Sequence, residues 1–486
     1  MDLVIKLDKT NSLPLHRQLY DELRLSILTG RLAPGQRIPS TRALAQFCKV
    51  SRATVNLSYE QLISEGYLES IHGSGTFVTD ELPEIFIQST QPDRQAPQTK
   101  QIKLSNYGTS LTDGKPFKTI EQDLLINFRQ GRPAFDEFPL RQWRRLLVHH
   151  CQLCPNLLDY TNDLLGYKPL REAIARYLVR SRAVNCKAEQ VIIVNGSQQA
   201  LDMTTRLLID RGNWVAMEDP GYLSARNTFL AQGAQVWPVP VDESGIVVKH
   251  LSEFSAANIH LVYVTPSHQF PTGSILSLSR RLELLSWAKR SGTMIVEDDY
   301  DSAYSYGERP IAALQGLDRS DNVIYTGTFS KVLFPALRIG YLVVPESLVN
   351  VFAHAKYLAD RQSPLLEQRI LTDFINEGHL ERHIRRMRAL YHQRRQTLVQ
   401  ALSMYLQDRV KILGKNAGMH LMVRLRTTLN DEEIVHRAAQ LGVGLISAAP
   451  NYLKPSYGGE FIIGYADLNA QQIREGICRL AQVLRE

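Results

Sequence analysis

A lysine at the end of a buried strand can offer its amine to an aldehyde, and Thr328-Phe329-Ser330-Lys331 follows directly on the apolar run 323–325. Arg338 lies seven residues on, near enough to return to the same place and grip a phosphate with two parallel donors. Thr328 adds a hydroxyl. Asn195-Gly196-Ser197-Gln198 stands between a strand-like and a helix-like run, where backbone N–H groups and a hydroxyl make an anion cradle at a helix N-terminus. Glu297-Asp298-Asp299-Tyr300 ends another apolar run. An aspartate there stays ionised beside a ring nitrogen and keeps that nitrogen protonated. Successive strand residues face opposite sides, so only one of Asp298 and Asp299 can do this. Tyr222, after Pro220-Gly221, is a flat side chain suited to stacking. A lysine for an internal aldimine, an anion for a pyridinium, phosphate donors and a stacking ring are what pyridoxal 5'-phosphate requires.

Positioning these groups takes an open sheet. Apolar runs at 191–194, 214–217, 261–264, 293–296, 323–325 and 339–344 read as strands buried on both faces. Helical patterns such as 197–209 and 278–289 lie between them, which predicts an α/β fold with helix-covered faces. Runs at 419–425 and 461–465 among helices predict a smaller α+β C-terminal lobe, within one unit spanning 121–486.

Residues 1–79 have another design. Pro14 opens a helix with Leu15, Leu19, Leu23 and Ile27 on one face, and Gly30 ends it. Ser40 caps a second helix carrying Leu44, Ala45 and Phe47, and Ser51 caps a third that runs to Gly66. Residues 67–71 and 76–79 form a hairpin around His72-Gly73-Ser74-Gly75. Between Leu23 and Tyr59 stand six cations (Arg24, Arg31, Arg37, Arg42, Lys49 and Arg52) and no acid. Two short helices joined by a tight turn make a helix-turn-helix, whose second helix enters the major groove by its N-terminal end. Ser51, Arg52 and Thr54 then face DNA, Arg42 is placed for phosphate or base, and His72 and Gly73 reach the backbone or minor groove. Residues 80–120, rich in Pro, Gln, Ser and Thr, read as a linker.

The first unit resembles the GntR family across RIPSTRALAQFCKVSRATVNLSYEQLISEGYLESIHGSGTFV. NGSQQALD, EDPGY, PSHQFPTG, EDDYDSAY and GTFSKVLFPALRIGY resemble fold-type I aminotransferases, and the whole resembles the MocR/GabR (PdxR-like) subfamily of GntR regulators. The resemblance implies Lys331 as the Schiff-base lysine, with Arg338, Thr328, Gly196, Ser197 and Gln198 around the phosphate. It further implies Asp298 as pyridinium partner, Tyr300 on the ring hydroxyl and Tyr222 in the stack. Two positions depart from working aminotransferases: Phe270 replaces the asparagine before Pro-Thr-Gly, and Ile462 stands where an arginine clamps the substrate carboxylate. Arg132 and Arg226 are then candidates to grip an effector's anion.

The expected function is a transcriptional regulator that binds double-stranded DNA and senses pyridoxal phosphate itself, or an amine or amino acid such as GABA or taurine, through Lys331. The alternative is an active aminotransferase with an accessory DNA-binding module. A homodimer is expected, because fold-type I sites lie at subunit interfaces and paired modules read paired half-sites. The net charge of +7 permits an acidic partner without demanding one. No apolar run reaches the roughly 18 residues of a membrane span. Five thinly spread cysteines point to a reducing cytoplasm. Cys151 and Cys154 form a lone Cys-x-x-Cys beside His149 and His150; with no second ligand pair, no metal site is expected.

Overall fold

Leu19, Leu23 and Ile27 recur at fourfold spacing and are buried on one face of helix α1 (Leu15–Leu28). The computed structural model that shows this describes residues 5, 7–8, 13–80, 102–112, 124–152, 157, 159–161, 163–253, 259–306, 312–414, 417–456 and 458–485. The chain divides into two units, 1–103 and 104–486. In the first, Ser40 caps α2 (Thr41–Cys48) by accepting from the Ala43 N–H at 3.2 Å. Ser51 caps α3 (Arg52–Ser64) by accepting from the Thr54 N–H at 3.1 Å. Each cap satisfies a donor that the helix leaves orphaned and stabilises it by about 1 kcal/mol. Lys49, in left-handed backbone at φ 51°, makes the turn between α2 and α3. Strands β1 (Leu68–Ile71) and β2 (Gly75–Val78) pair antiparallel, Leu68 opposite Val78 and Ile71 opposite Gly75. The Ile38 N–H donates to Thr76 O, fixing a third extended segment to the hairpin. Leu44, Val55, Tyr59, Leu62, Leu68 and Val78 complete the core, each large apolar side chain contributing about 1.5–3 kcal/mol. Phe47 is instead 63% exposed, because short α2 turns only Leu44 and Ala45 inward.

Within the expected linker, residues Asn106–Thr112 form a helix of the second unit. Ser110 Oγ donates to Ala231 O at 2.9 Å, and Arg206 lies over the Tyr107 ring at 5.7 Å. Tertiary contacts hold this helix; it buries no side chain, which is why no apolar period announces it.

The second unit is built on an eight-stranded sheet. It begins with β3 (Ile126–Asn127), which lies outside that sheet, followed by β4 (Val191–Val194), β5 (Trp214–Asp219), β6 (Gln235–Asp242), β7 (Gly245–Ile246), β8 (Ile259–Val264), β9 (Met294–Asp299), β10 (Val323–Thr328) and β11 (Gly340–Val343). The sheet order is β4-β11-β10-β9-β8-β5-β6-β7. From β10 through β6 the strands are parallel, and β11 runs antiparallel to both neighbours. β6 escapes the sequence pattern because Pro238 and Pro240 interrupt it; it lies next to the edge, where missing donors cost least. In the C-terminal lobe, β12 (Val410–Leu413), β13 (His420–Leu425), β14 (Val443–Gly444), β15 (Ile446–Ser447) and β16 (Glu460–Gly464) follow. Four of them form an antiparallel sheet in the order β12-β13-β16-β15, while β14 pairs in parallel with β3. The chain entering the second unit is thereby hydrogen-bonded to its last lobe. Among the described residues, no helix is long and apolar enough to cross a membrane.

Candidate functional site

Parallel strands end on one edge of the sheet, and there β8, β9 and β10 contribute Tyr263, Asp298 and Thr328 to a cavity of about 260 Å³. Ser197, Gln198, Tyr222, Tyr300, Lys331 and Arg338 also line it. Gly196, the remaining residue expected here, is the N-cap of helix Ser197–Leu208 at φ 85°. A Cβ added to it would meet the Arg338 guanidinium at 2.8 Å. Arg338 itself donates to Asn195 O at 2.7 Å, so arginine and helix N-terminus form one cradle. Ser197 opens that helix, whereas the Gln198 side chain is tied to Thr228 Oγ1 at 2.7 Å and leaves its backbone N–H for an anion.

The two aspartates separate as strand alternation requires. Asp298 lines the cavity; its Oδ2 accepts from the Tyr263 hydroxyl at 2.7 Å, and its buried Oδ1 has no hydrogen-bond partner among the described residues. Burial raises its carboxyl to about 6, against the Tyr263 hydrogen bond. Asp299 faces the other way, against Arg182 Nε at 2.8 Å and the Tyr325 hydroxyl at 2.6 Å. Burial pushes Asp299 up, but the Arg182 charge together with hydrogen bonds from Ser302, Tyr325 and Arg182 holds the carboxyl below its ordinary value. Lys331 Nζ donates to Gly131 O at 3.1 Å, and a Cβ at Gly131 would come within 2.3 Å of that nitrogen. Burial lowers the Lys331 ammonium, partly opposed by the charges of Asp301 and Asp298.

These groups fit pyridoxal 5'-phosphate. The orphaned Asp298 Oδ1 is the acceptor a pyridinium N–H needs, and the glycine-lined cradle at Arg338 suits a phosphate. Tyr222 meets the Phe270 ring edge-on, with centroids 5.5 Å apart.

Several residues of the site were not legible in the sequence. Tyr263 sits in an apolar strand and reads as core. Gln130 and Gly131 belong to a turn after β3. His268 and Asp301 form a buried pair, with Nδ1 to Oδ2 at 3.0 Å, and the Tyr300 hydroxyl lies 3.1 Å from the same Nδ1 while donating to His268 O at 2.9 Å. Tyr300 is thus anchored on His268. His420 completes a group in which one ligand-type atom each of His268, Asp301 and His420 lie within 4.8 Å of one another. A carbonyl only accepts, so His420 Nε2 donates to Pro271 O at 3.2 Å, leaving Nδ1 as an acceptor. Burial and neighbouring His268 hold His420 down at about 3, so it is neutral.

Ile462, the residue expected where aminotransferases carry their carboxylate clamp, is wholly buried with Phe270, Met422 and Ala448. Neither arginine considered as a substitute lines the cavity. Arg132 pairs with Asp467 at 3.4 Å, and Arg226 donates to Tyr452 O at 3.0 Å and Pro450 O at 2.6 Å. Away from the site, His150 bonds Asp373 at 2.8 Å, Cys151 is exposed on helix Leu140–Gln152, and Cys154 lies outside the described residues.

In the first unit, Arg42, Ser51, Arg52, His72 and Gly73 are exposed. Thr54 is half-buried and its hydroxyl is shared with Ser51 Oγ at 2.8 Å, so it shapes the start of α3. Arg52 Nε reaches Thr41 Oγ1 at 3.3 Å, joining the N-terminal ends of α2 and α3. Arg37, exposed in sequence next to the α2 cap, packs its guanidinium beside Gly75 and so adds a cation at the hairpin.

Comparison with known proteins agrees with both units. Residues 15–78 match the family of bacterial regulatory proteins, gntR family, and residues 124–480 match aminotransferase class I and II. The chain is 39% identical over 474 residues to the probable rhizopine catabolism regulatory protein MocR of Rhizobium meliloti, covering 98% of this chain and 94% of that one. It is 31% identical to the HTH-type transcriptional regulator TauR of Rhodobacter capsulatus, covering 97% and 96%. The crystal structure of LysN, an α-aminoadipate aminotransferase from Thermus thermophilus complexed with N-(5'-phosphopyridoxyl)-L-leucine, matches with a TM-score of 0.69 at 28% identity, over 79% of this chain and 95% of that one. With both family models matched in one chain and regulators matched over nearly their full length, the chain belongs to the GntR family of bacterial transcriptional regulators, in the MocR-type branch that carries an aminotransferase class I and II domain.

Proposed function

We propose that the second unit binds pyridoxal 5'-phosphate at Lys331 and senses an amine there, changing how the first unit binds its DNA operator. The single observation that supports this is a cavity whose lining fits the cofactor together with the buried apolar cluster of Ile462, where a carboxylate clamp is expected. When bound, the cofactor supplies an aldehyde that condenses with amines and a ring that withdraws electrons. Burial favours the free amine of Lys331, the form that attacks a carbonyl. Asp298 Oδ1 holds a proton on the ring nitrogen; Arg338 Nη atoms and the Ser197 end of its helix hold the phosphate; Tyr222 covers the ring face. Without a two-pronged carboxylate clamp, an α-amino acid loses much of its orientation, so turnover is slow and recognition dominates. In the first unit, Arg42 and Arg52 with the N-termini of α2 and α3 contact operator DNA, and His72 and Gly73 contact its backbone. The working form is a homodimer, which sedimentation at micromolar concentration tests.

The relatives carry names tied to rhizopine catabolism and to pyridoxine biosynthesis, so the effector is read from the site itself. The experiment is an absorbance titration of the full-length protein with amines, alongside a turnover assay and a DNA shift. A visible cofactor band lost in Lys331→Ala, perturbed by amines and coupled to the shift, is expected. Multiple-turnover transamination at ordinary enzyme rates with no operator binding would instead establish an aminotransferase.

A further inference from the structure

Among the described residues two cations line the cavity, Arg338, which suits the cofactor's phosphate, and Lys331, which burial holds toward its neutral amine; the rest of that lining is uncharged or acidic. Three acceptors stand out. Gln130 Oε1 is buried without a hydrogen-bond partner among the described residues. Asp301 is 3% exposed; its Oδ2 is taken by His268, and its buried Oδ1 likewise has no partner among the described residues. His420, with Nε2–H given to Pro271 O, keeps Nδ1 as an acceptor, and one of its ring nitrogens lies within 4.8 Å of an Asp301 oxygen. Phe270 and Met419 form the apolar wall beside them. A buried acceptor left without a donor costs about 1–3 kcal/mol, so a ligand that supplies donors is favoured and one that supplies a carboxylate is repelled.

Resting on the sensor reading above, we propose that the effector is a primary amine without a carboxylate, whose second polar group is a hydrogen-bond donor (an ammonium or hydroxyls) held by Gln130, Asp301 and His420. When the effector's amine takes the aldehyde, Lys331 is released, and burial favours it as the neutral amine, so the Asp301 Oδ1 without a partner among the described residues stays available to the effector's donor. Asp301 and Gln130 are recognition residues for this class, while the apolar Phe270 wall offers an anionic group no partner.

The full-length protein saturated with pyridoxal phosphate is titrated with putrescine, 2-amino-1,3-propanediol, GABA and β-alanine, reading the cofactor band and operator binding. Half-saturation by the first two at concentrations at least about tenfold lower than by the two amino acids is expected. Equal or stronger response to the amino acids overturns the inference and leaves the sensor reading standing. A loaded protein that answers no amine overturns both. Gln130→Leu and Asp301→Asn are each expected to raise half-saturation for putrescine about tenfold or more, since each leaves a donor unpaired. Gln130→Arg, at the partly exposed turn and tolerant of a longer side chain, is expected to swing preference toward GABA. Unchanged selectivity in Gln130→Leu and Gln130→Arg overturns the assignment even where Asp301→Asn fails to fold.

Discussion

Asp298 shows how much a single carboxylate decides. Its Oδ1 has a pyridinium as its natural partner only while ionised, and burial has raised its carboxyl to about 6 in the free chain. Above that pH the anion is present and cofactor binding is supported; below it the carboxyl takes a proton and the support is lost. Affinity for pyridoxal phosphate is therefore expected to weaken as pH falls from 7 through about 6, and Asp298→Asn to weaken it at least about tenfold at pH 7.5 with a flatter profile. Equilibrium titration of the cofactor band from pH 5.5 to 8 checks both. In the first unit, Arg52→Ala is expected to lower operator affinity by about 1–3 kcal/mol while leaving binding to random DNA nearly unchanged, measured side by side at fixed salt. At this scale Lys331, Arg338 and Asp298 are each weak signals alone; their order along one chain and the family resemblance single them out, and the fold brings all three to one cavity. Tyr263, His268 and Gln130 are not singled out, because a tyrosine in an apolar strand and a polar residue in a turn have ordinary structural roles, and only the fold shows which way they face.

Elements add what side chains cannot. Helix Ser197–Leu208 starts at Gly196 with φ 85°, a conformation that L side chains rarely adopt, and a methyl there would press on the Arg338 guanidinium at 2.8 Å. Gly196→Ala is expected to lose cofactor affinity by more than about tenfold while lowering stability by only about 1 kcal/mol, because strain and clash both fall on the cradle. Thermal melts with and without cofactor separate the two effects. Buried strands were legible because uninterrupted Val and Ile leave few other readings. β6 was not, since its prolines mask it, and helix Asn106–Thr112 was not, since nothing in its composition demands a helix that buries no side chain.

For the whole molecule, a change in composition reads as two units, Ser40 and Ser51 read as helix caps and do cap α2 and α3, and no strand order was read from the sequence. What composition could not supply was how the second unit ties the stretch at β3 to its C-terminal lobe. β3 is paired to β14 of that lobe, and just beyond β3 the same stretch delivers Gln130 and Gly131 to the cavity. Along the chain, Gln130 follows helix Asn106–Thr112, the first described helix of the second unit, so a ligand that grips Gln130 acts on a segment held to the C-terminal lobe through β3 and β14. Under the sensor reading the coupling is reciprocal: operator DNA changes the protein's affinity for its amine by the same factor that the amine changes its affinity for operator. Paired titrations, amine with and without DNA and DNA with and without amine, are expected to return one coupling factor, and cutting the chain between the units is expected to reduce it to one.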